Sequence, residues 1–236
     1  MLTHYTRSTT AVANILTHGF AWIPNRRRLT DLLIPQHDYS EREPQQFGMI
    51  SFTDLAPTQS ERHCETFGHF GLTVTEDWAK RHHAQRVIYL DEDGPVTAAL
   101  CAVFDIAYID LTQRIQYPDD KGWLMAYENK VMASSIAGAT LWANILQLWE
   151  YLEPSSCSDQ REWRVVNEQP LYSLSQDRAE AIRQVSPPKN WAKHMSVIPI
   201  DPSDLTSLAC RHADRQILLE CLPSEFKHLP LVTTGA

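Results

Sequence analysis

Three short segments of the chain carry side chains whose types and spacing suit the binding of a sugar. In the first segment, His4 is followed two residues later by Thr6. Imidazole and hydroxyl groups both donate and accept hydrogen bonds, so this pair can hold the vicinal hydroxyls of a ribose. The alternative is a histidine at the edge of the protein with no ligand, and the His4-Tyr5-Thr6 triplet on its own favours that alternative.

The second segment, from Gly48 to Asp54, has the composition of a strand. Ser51 and Thr53 are two residues apart, which places both hydroxyls on one face of a strand. Gly48 permits a close approach to the backbone, so the two hydroxyls can line a cleft. The alternative is a half-buried strand with one polar side, and composition alone favours it.

The third segment is Gln160-Arg161-Glu162-Trp163-Arg164. In a strand, Gln160 and Glu162 share one face, so an amide and a carboxylate project together. A carboxylate in a cleft can bind a sugar hydroxyl and stabilise a developing oxocarbenium cation. The alternative is a surface ion pair between Glu162 and either Arg164 or Arg161, because such pairs are common.

Metal and nucleophile chemistry find less support in the residue pattern. His82 and His83 are adjacent, and neighbouring residues of a helix point about 100° apart. His63 and Cys64 also lack the spacing that closes a tetrahedral metal site. The chain has five cysteines without a CxxC pair and no GxSxG elbow, so we expect reduced cysteines, no metal and no catalytic serine or cysteine.

Length, composition and charge bound the class of protein. With 236 residues, 43% hydrophobic and 21% charged, the chain can bury one sizeable core, which predicts a single domain over residues 1–236. A net charge of −8 argues against nucleic acid and anionic membranes as partners. The longest apolar stretch is far shorter than the roughly 20 residues of a membrane span, and Met1 to Arg7 lacks the features of a secretory signal. We therefore expect a cytoplasmic protein with no membrane partner.

The secondary-structure signals predict an α+β fold, with a small, mainly antiparallel sheet and helices packed on it. Strands are predicted at Leu2–Tyr5, Phe47–Thr53, Gly68–Val74, Arg86–Leu90, Glu162–Asn167, Val197–Ile200 and Leu208–Arg211. Helices are predicted after Ser8 and Thr9, through His63, after Thr75 and from about Asp214 to Leu222. A long flap at about 22–46 and a helical middle at about 95–152 complete the predicted domain, with a break at Pro154 to Ser158.

Several runs of the sequence together resemble a known family. They are ISFTDLAP from Ile50, FGHFGLTVTEDWA from Phe67, VIYL from Val87 and REWR from Arg161. In these runs the chain resembles the AbiGi family, whose members are the antitoxin components of bacterial abortive-infection systems. The resemblance implies a phage-defence protein that binds a cognate toxin. The resemblance also leads us to expect an acidic residue two places before Glu162, but this chain has Gln160 there. If residues 160 and 162 act as a pair, the negative charge of that pair is halved.

The same segments are also similar to the ADP-ribosyltransferases. That superfamily takes a histidine or arginine from an early strand, a hydroxyl or tyrosine from a central strand and a glutamate from a late one. This similarity implies NAD as the cofactor, with His4 and Thr6 holding a ribose, Ser51 supporting the site and Tyr5 available to stack on nicotinamide. Glu162 would stabilise the ribosyl cation, with Gln160 near the acceptor.

Two function classes therefore stay open, a partner-binding antitoxin and an NAD-dependent transferase or glycohydrolase. The transferase hypothesis requires His4, Ser51 and Glu162 to meet in one open cleft. The antitoxin hypothesis requires an exposed patch that binds protein, for which Trp22, Trp123 and Trp191 are candidates.

Overall fold

The computed structural model describes residues 1–24, 46–91, 93–100, 102–103, 147–171 and 197–234, and the side chains of all of these except residues 24, 46, 47 and 168–171. The described residues fall into two compact units. The larger unit contains residues 1–24, 46–87, 157–171 and 197–234. The smaller unit contains residues 88–91, 93–100, 102–103 and 147–156.

The strands and helices of the described residues follow in chain order. The strands are β1 (Leu2–Thr6), β2 (Phe20–Ala21), β3 (Ile23–Pro24), β4 (Gln46–Thr53), β5 (Phe70–Val74), β6 (Gln85–Arg86), β7 (Ile88–Leu90), β8 (Leu152–Pro154), β9 (Glu162–Leu171), β10 (Val197–Ile198), β11 (Leu205–Cys210) and β12 (Leu231–Thr233). The α-helices of the larger unit are α1 (Thr9–His18), α2 (Glu61–Phe67), α3 (Glu76–Arg81) and α4 (Arg215–Cys221).

Eight of the described strands form the main sheet of the larger unit, in the order β12-β11-β5-β1-β4-β9-β6 with β3 paired to β4. All of these pairings are antiparallel except that of β11 with β12. Two further pairs lie outside this sheet, β2 with β10 and, in the smaller unit, β7 with β8. The predicted α+β fold with a mainly antiparallel sheet is confirmed.

The main sheet has one apolar side, which we call the core face. Leu2, Phe52, Leu72 and Val165 lie on this face, in one cluster with buried residues of α1 and α4. The two helices contribute Val12, Leu16, Leu218 and Leu222 to that cluster. Removal of these side chains from water is the main force that holds the helices on the sheet.

The opposite side of the sheet, which we call the polar face, carries Thr3, Thr53, Thr73 and Arg164, all of them buried. The hydroxyls of Thr3 and Thr73 lie 3.0 Å apart and share a hydrogen bond. Because a buried polar group without a partner costs free energy, this face has to be internally hydrogen-bonded.

Local sequence signals explain the ends of two helices. Ser8 caps α1 by accepting a hydrogen bond from the backbone N–H of Ala11, at 3.1 Å. Thr75 caps α3 in the same way through the N–H of Trp78, also at 3.1 Å. Gly19 follows the last residue of α1 with a φ of 96°, which glycine adopts without steric cost.

Two predicted elements differ from those observed. The strand predicted at Arg86–Leu90 is divided at Val87, because β6 pairs with β9 whereas β7 pairs with β8. The helix predicted to reach Leu152 ends by residue 149, and β8 occupies Leu152–Pro154. Only three residues long, β8 is too short to show a period in sequence.

The predicted flap and helical middle fall largely outside the described residues. Of the flap at 22–46, the structure describes 22–24 and 46; of the middle at 95–152, it describes 95–100, 102–103 and 147–152. None of the helices in the described ranges combines the length and the apolar character that crossing a membrane requires.

Gly68 offers a direct test of the fold. Its φ of 110° and ψ of 168° belong to a region that only glycine occupies readily, and a Cβ there would lie 2.2 Å from the Thr6 carbonyl oxygen. We expect Gly68→Ala to lower the free energy of unfolding by about 3 kcal/mol, measured by chemical denaturation. Gly94→Ala is the comparison, since Gly94 has no positive φ and its new Cβ would make a tight contact of 3.1 Å with the Asp91 carbonyl oxygen, so we expect a much smaller loss there. Equal stability of the two variants would contradict the described backbone.

Candidate functional site

The pairing of β4 with β9 brings two of the predicted site residues to the same side of the sheet. Ser51 is opposite Arg164, and Thr53 is opposite Glu162. Side chains of directly paired residues point to the same face, so all four lie on the polar face. Ser51 and Glu162 therefore share a face, which is one part of what the transferase hypothesis requires.

Glu162 forms a two-bond ion pair with Arg164. Nε and Nη2 of Arg164 donate to the two carboxylate oxygens, each at 2.9 Å. The predicted alternative of an ion pair at Glu162 is therefore found, but the pair is buried, whereas the sequence predicted a surface pair. Arg164 fixes the orientation of the Glu162 carboxylate through these two charge-assisted hydrogen bonds.

Gln160 does not share a strand face with Glu162: the strand begins at Glu162, as predicted, but the predicted shared face of the two residues is not found. Gln160 is the last residue of a 3-10 helix, Ser155–Gln160, and β9 begins at Glu162. Between them, Arg161 has a φ of 47°, which interrupts the alternation of a strand. The backbone carbonyl of Gln160 accepts a hydrogen bond from the hydroxyl of Thr53 at 2.8 Å.

His4 lies on the core face, on the other side of the sheet from Glu162. Its half-buried ring meets Phe20 and Phe52 edge to face, with centroids 5.2 and 5.8 Å apart. Nδ1 lies 2.8 Å from the carbonyl oxygen of Ser51, and since a carbonyl only accepts, Nδ1 carries the proton. Burial lowers the pKa of His4 and favours the neutral ring.

Thr6 shares the core face with His4 by the alternation of β1. The structure thus brings together Ser51 with Glu162, and His4 with Thr6, but places the two pairs on opposite faces of one sheet. His4 reaches Ser51 only through its backbone carbonyl, not through its side chain.

Tyr5 lies on the polar face and is held beneath α2. Its hydroxyl donates to Ser60 Oγ at 2.9 Å, and Ser60 donates in turn to the carbonyl of Pro57 at 2.7 Å. The Cys64 sulfur lies 3.3 Å from the same Ser60 oxygen. Burial raises the pKa of Tyr5 to about 12, and the ring is 7% exposed, so little of it is open to stack on a ligand.

His63 is a polar-face residue that the sequence did not single out as part of this site. Its ring contacts Tyr5 and Phe67, with centroids 5.2 and 4.5 Å apart. Burial lowers the pKa of His63, while the negative charges of Glu162 and Asp159 oppose that shift. The available signal was the helical spacing of Ser60, His63 and Cys64, which puts them on one face of α2.

The cysteines and histidines of the described residues do not form a metal site. Within the described ranges, no group of three or more His, Cys, Asp or Glu side chains is placed to bind a metal ion. The thiols of Cys64 and Cys210 are buried, and burial raises the pKa of both. A raised pKa keeps the neutral thiol, which is the less reactive form.

The environment of His4 predicts a dependence of stability on pH. Since the pKa of His4 is lower in the folded protein than its ordinary value of 6.5, the unfolded chain binds the proton more readily. Stability is then complete above about pH 6.5 and falls as the pH drops below it. His4→Asn keeps an N–H donor near Nδ1 but cannot titrate, so we expect a smaller loss of unfolding free energy between pH 7 and pH 5.5.

Chemical denaturation at several pH values measures this difference. The matched variant His212→Asn, at an exposed histidine, should keep the wild-type slope. Residual acid sensitivity in His4→Asn is expected, because burial lowers the pKa of His63, His69 and His82 as well. A wild-type slope in His4→Asn would show that His4 is not held neutral.

Comparison of the chain with protein-family models, with curated proteins and with solved structures finds no match. The chemistry of the site consequently rests on the residues of this chain. Ser51, Thr53 and the Glu162–Arg164 pair form the polar-face candidate site, with His63 beside it.

Proposed function

We propose that the chain is a phage-defence protein of AbiGi type that acts by binding a partner, in the manner of an antitoxin. The observation that carries this proposal is an exposed apolar stripe in the smaller unit. Residues 95–100 and 102–103 are helical, and Val96 and Val103 are 61% and 53% exposed. A separation of seven residues is one at which helical residues share a face, and exposed apolar side chains that share a face suit a protein interface.

The separation of the predicted cofactor-binding residue His4 from the predicted catalytic residue Glu162 supports a partner-binding role over catalysis. His4 and Glu162 are on opposite faces of the sheet, and the charge of Glu162 is balanced by Arg164. A carboxylate whose charge is already paired stabilises a developing cation less. These features suit residues that hold the fold together.

The structure changes which residues are candidates for the protein interface. Trp22 is buried in the core cluster, so its prediction as an exposed interface residue is wrong. Trp123 and Trp191 lie outside the described residues. Val96 and Val103 take their place as the side chains to test.

The partner-binding proposal predicts that Val96→Asp with Val103→Asp abolishes neutralisation of the cognate toxin. Growth of bacteria that co-express the toxin with the wild-type or variant chain measures protection, and co-purification from the same cells measures binding. Because both positions are exposed, the unfolding free energy should stay within about 0.5 kcal/mol of wild type. Ile217→Asp, at an aliphatic side chain of α4 that is 54% exposed, is the matched control. Full protection by the double variant would refute the proposed surface.

A second candidate function is the binding of NAD, as a step of ADP-ribosyl transfer or NAD hydrolysis. The observation that favours it is the shared polar face of Ser51 and Glu162 on two directly paired strands. Arg164 holds the Glu162 carboxylate in one orientation, which preorganises it to accept hydrogen bonds from ribose hydroxyls. In this geometry Glu162 and Ser51 would contact the ligand, whereas His4 and Thr6, on the opposite face of the sheet, would not hold its ribose as predicted.

Titration calorimetry with NAD tests this second candidate. We expect Glu162→Gln to weaken NAD binding by about 10-fold or more, since a hydrogen bond to a charged group contributes about 1.5–3 kcal/mol. His4→Ala should leave the affinity of the folded protein unchanged. Removing one member of a buried ion pair is destabilising, so the fraction of folded protein must be measured for each variant at the titration temperature. Absence of saturable binding at millimolar NAD in the wild-type protein would exclude this candidate.

A further inference from the structure

The carboxylate of Asp54 gathers three side chains at the place where β9 begins. Oδ1 forms an ion pair with Arg161 Nε at 2.6 Å, and Oδ2 accepts from Trp163 Nε1 at 3.2 Å and from Arg86 Nη2 at 3.4 Å. We call Asp54, Arg86, Arg161 and Trp163 the Asp54 clamp. The carboxylate is 20% exposed, and two hydrogen-bond donors and one ion-paired guanidinium converge on it, which distinguishes the clamp from an isolated surface pair.

The clamp stabilises a backbone conformation of Arg161 that is unfavourable for residues other than glycine. Arg161 has a φ of 47°, in the left-handed region, which costs a residue with a Cβ about 1–2 kcal/mol. Asp54 contacts Arg161 twice, through the side-chain ion pair and through its own backbone N–H, which donates to the Arg161 carbonyl at 3.4 Å. These two contacts with Asp54 therefore offset the free-energy cost of the left-handed conformation of Arg161.

Trp163, which Asp54 also holds, fixes the face of the sheet on which Glu162 lies. Trp163 packs against the core cluster, and its indole N–H is tied to Asp54. Because successive residues of a strand point to opposite faces, a Trp163 held on the core face places Glu162 on the polar face. There Glu162 meets Arg164, opposite Thr53.

We propose that Asp54 is a positioning residue of the polar-face site, which directs the Glu162 carboxylate to its ligand by fixing Arg161 and Trp163. The proposal rests on the NAD-binding candidate and names a residue that acts on the ligand through Glu162. Asp54 lies beyond the end of β4 and has no ligand contact of its own in this role.

The test combines Asp54→Ala with Arg161→Gly. Asp54→Ala removes the clamp, and we expect NAD to bind about 10-fold more weakly, the equivalent of the left-handed cost of about 1–2 kcal/mol. Arg161→Gly adopts the left-handed conformation freely and needs no clamp, so the double variant should recover an affinity within about 3-fold of Arg161→Gly alone. Calorimetry on folded protein measures both.

Two controls separate positioning from general stability. Glu76→Ala removes the carboxylate of an exposed ion pair outside the clamp, 3.0 Å from Lys80 on α3, and should leave NAD affinity unchanged. A merely structural Asp54 would lower the unfolding free energy in Asp54→Ala while the folded fraction kept wild-type affinity. That result, or failure of Arg161→Gly to rescue, overturns the proposal.

Hydrogen exchange keeps the two proposals distinguishable. If wild-type protein binds no NAD, the NAD candidate fails, and exchange of the backbone amides of residues 161–164 decides whether Asp54 positions this segment. Faster exchange in Asp54→Ala, restored in the double variant, supports positioning. Unchanged exchange in Asp54→Ala overturns it.

Discussion

The alternation of side chains across the main sheet is the constraint on which the rest of the structure depends. Each strand places alternate residues on the core face and on the polar face. The register of β4 with β9 decides which residues of these two strands lie on each face. A slip of β9 by one residue would turn Glu162 and Arg164 onto the core face beside Phe52 and would move Val165 to the polar face. The cost of a charge in that apolar cluster makes the register strict.

The polar face is stable because its groups satisfy one another. Arg164 and Glu162 neutralise each other, and the Tyr5 hydroxyl is linked through Ser60 to the carbonyl of Pro57. Such a network contributes little net stability compared with an apolar core of equal volume, yet breaking one member is costly. A substitution at Glu162 therefore affects the stability of the fold as well as any binding at the polar face.

Local signals were sufficient to predict much of the fold, since they act over a few residues. The caps at Ser8 and Thr75 and the glycine after α1 are visible in the sequence, and so is the polar alternation of β4. The side of the sheet that receives His4 was not predictable, because it depends on pairing with distant strands and on Phe20 and Phe52. A histidine and a hydroxyl in one triplet identify possible ligands, but they do not show whether those ligands face Glu162.

The position of Gln160 illustrates a limit of period-based prediction. A pattern of alternate polar residues indicates a shared face only if every intervening residue is extended, and Arg161 is not. No glycine or asparagine marks this left-handed position, since its cost is offset by a tertiary contact, the carboxylate of Asp54, 107 positions away from Arg161 in the sequence. If an acidic side chain replaced Gln160, it would therefore lie at the end of the 3-10 helix, outside the strand face that carries Glu162. The absence of a charge at Gln160 therefore does not remove a charge from the strand face that carries Glu162.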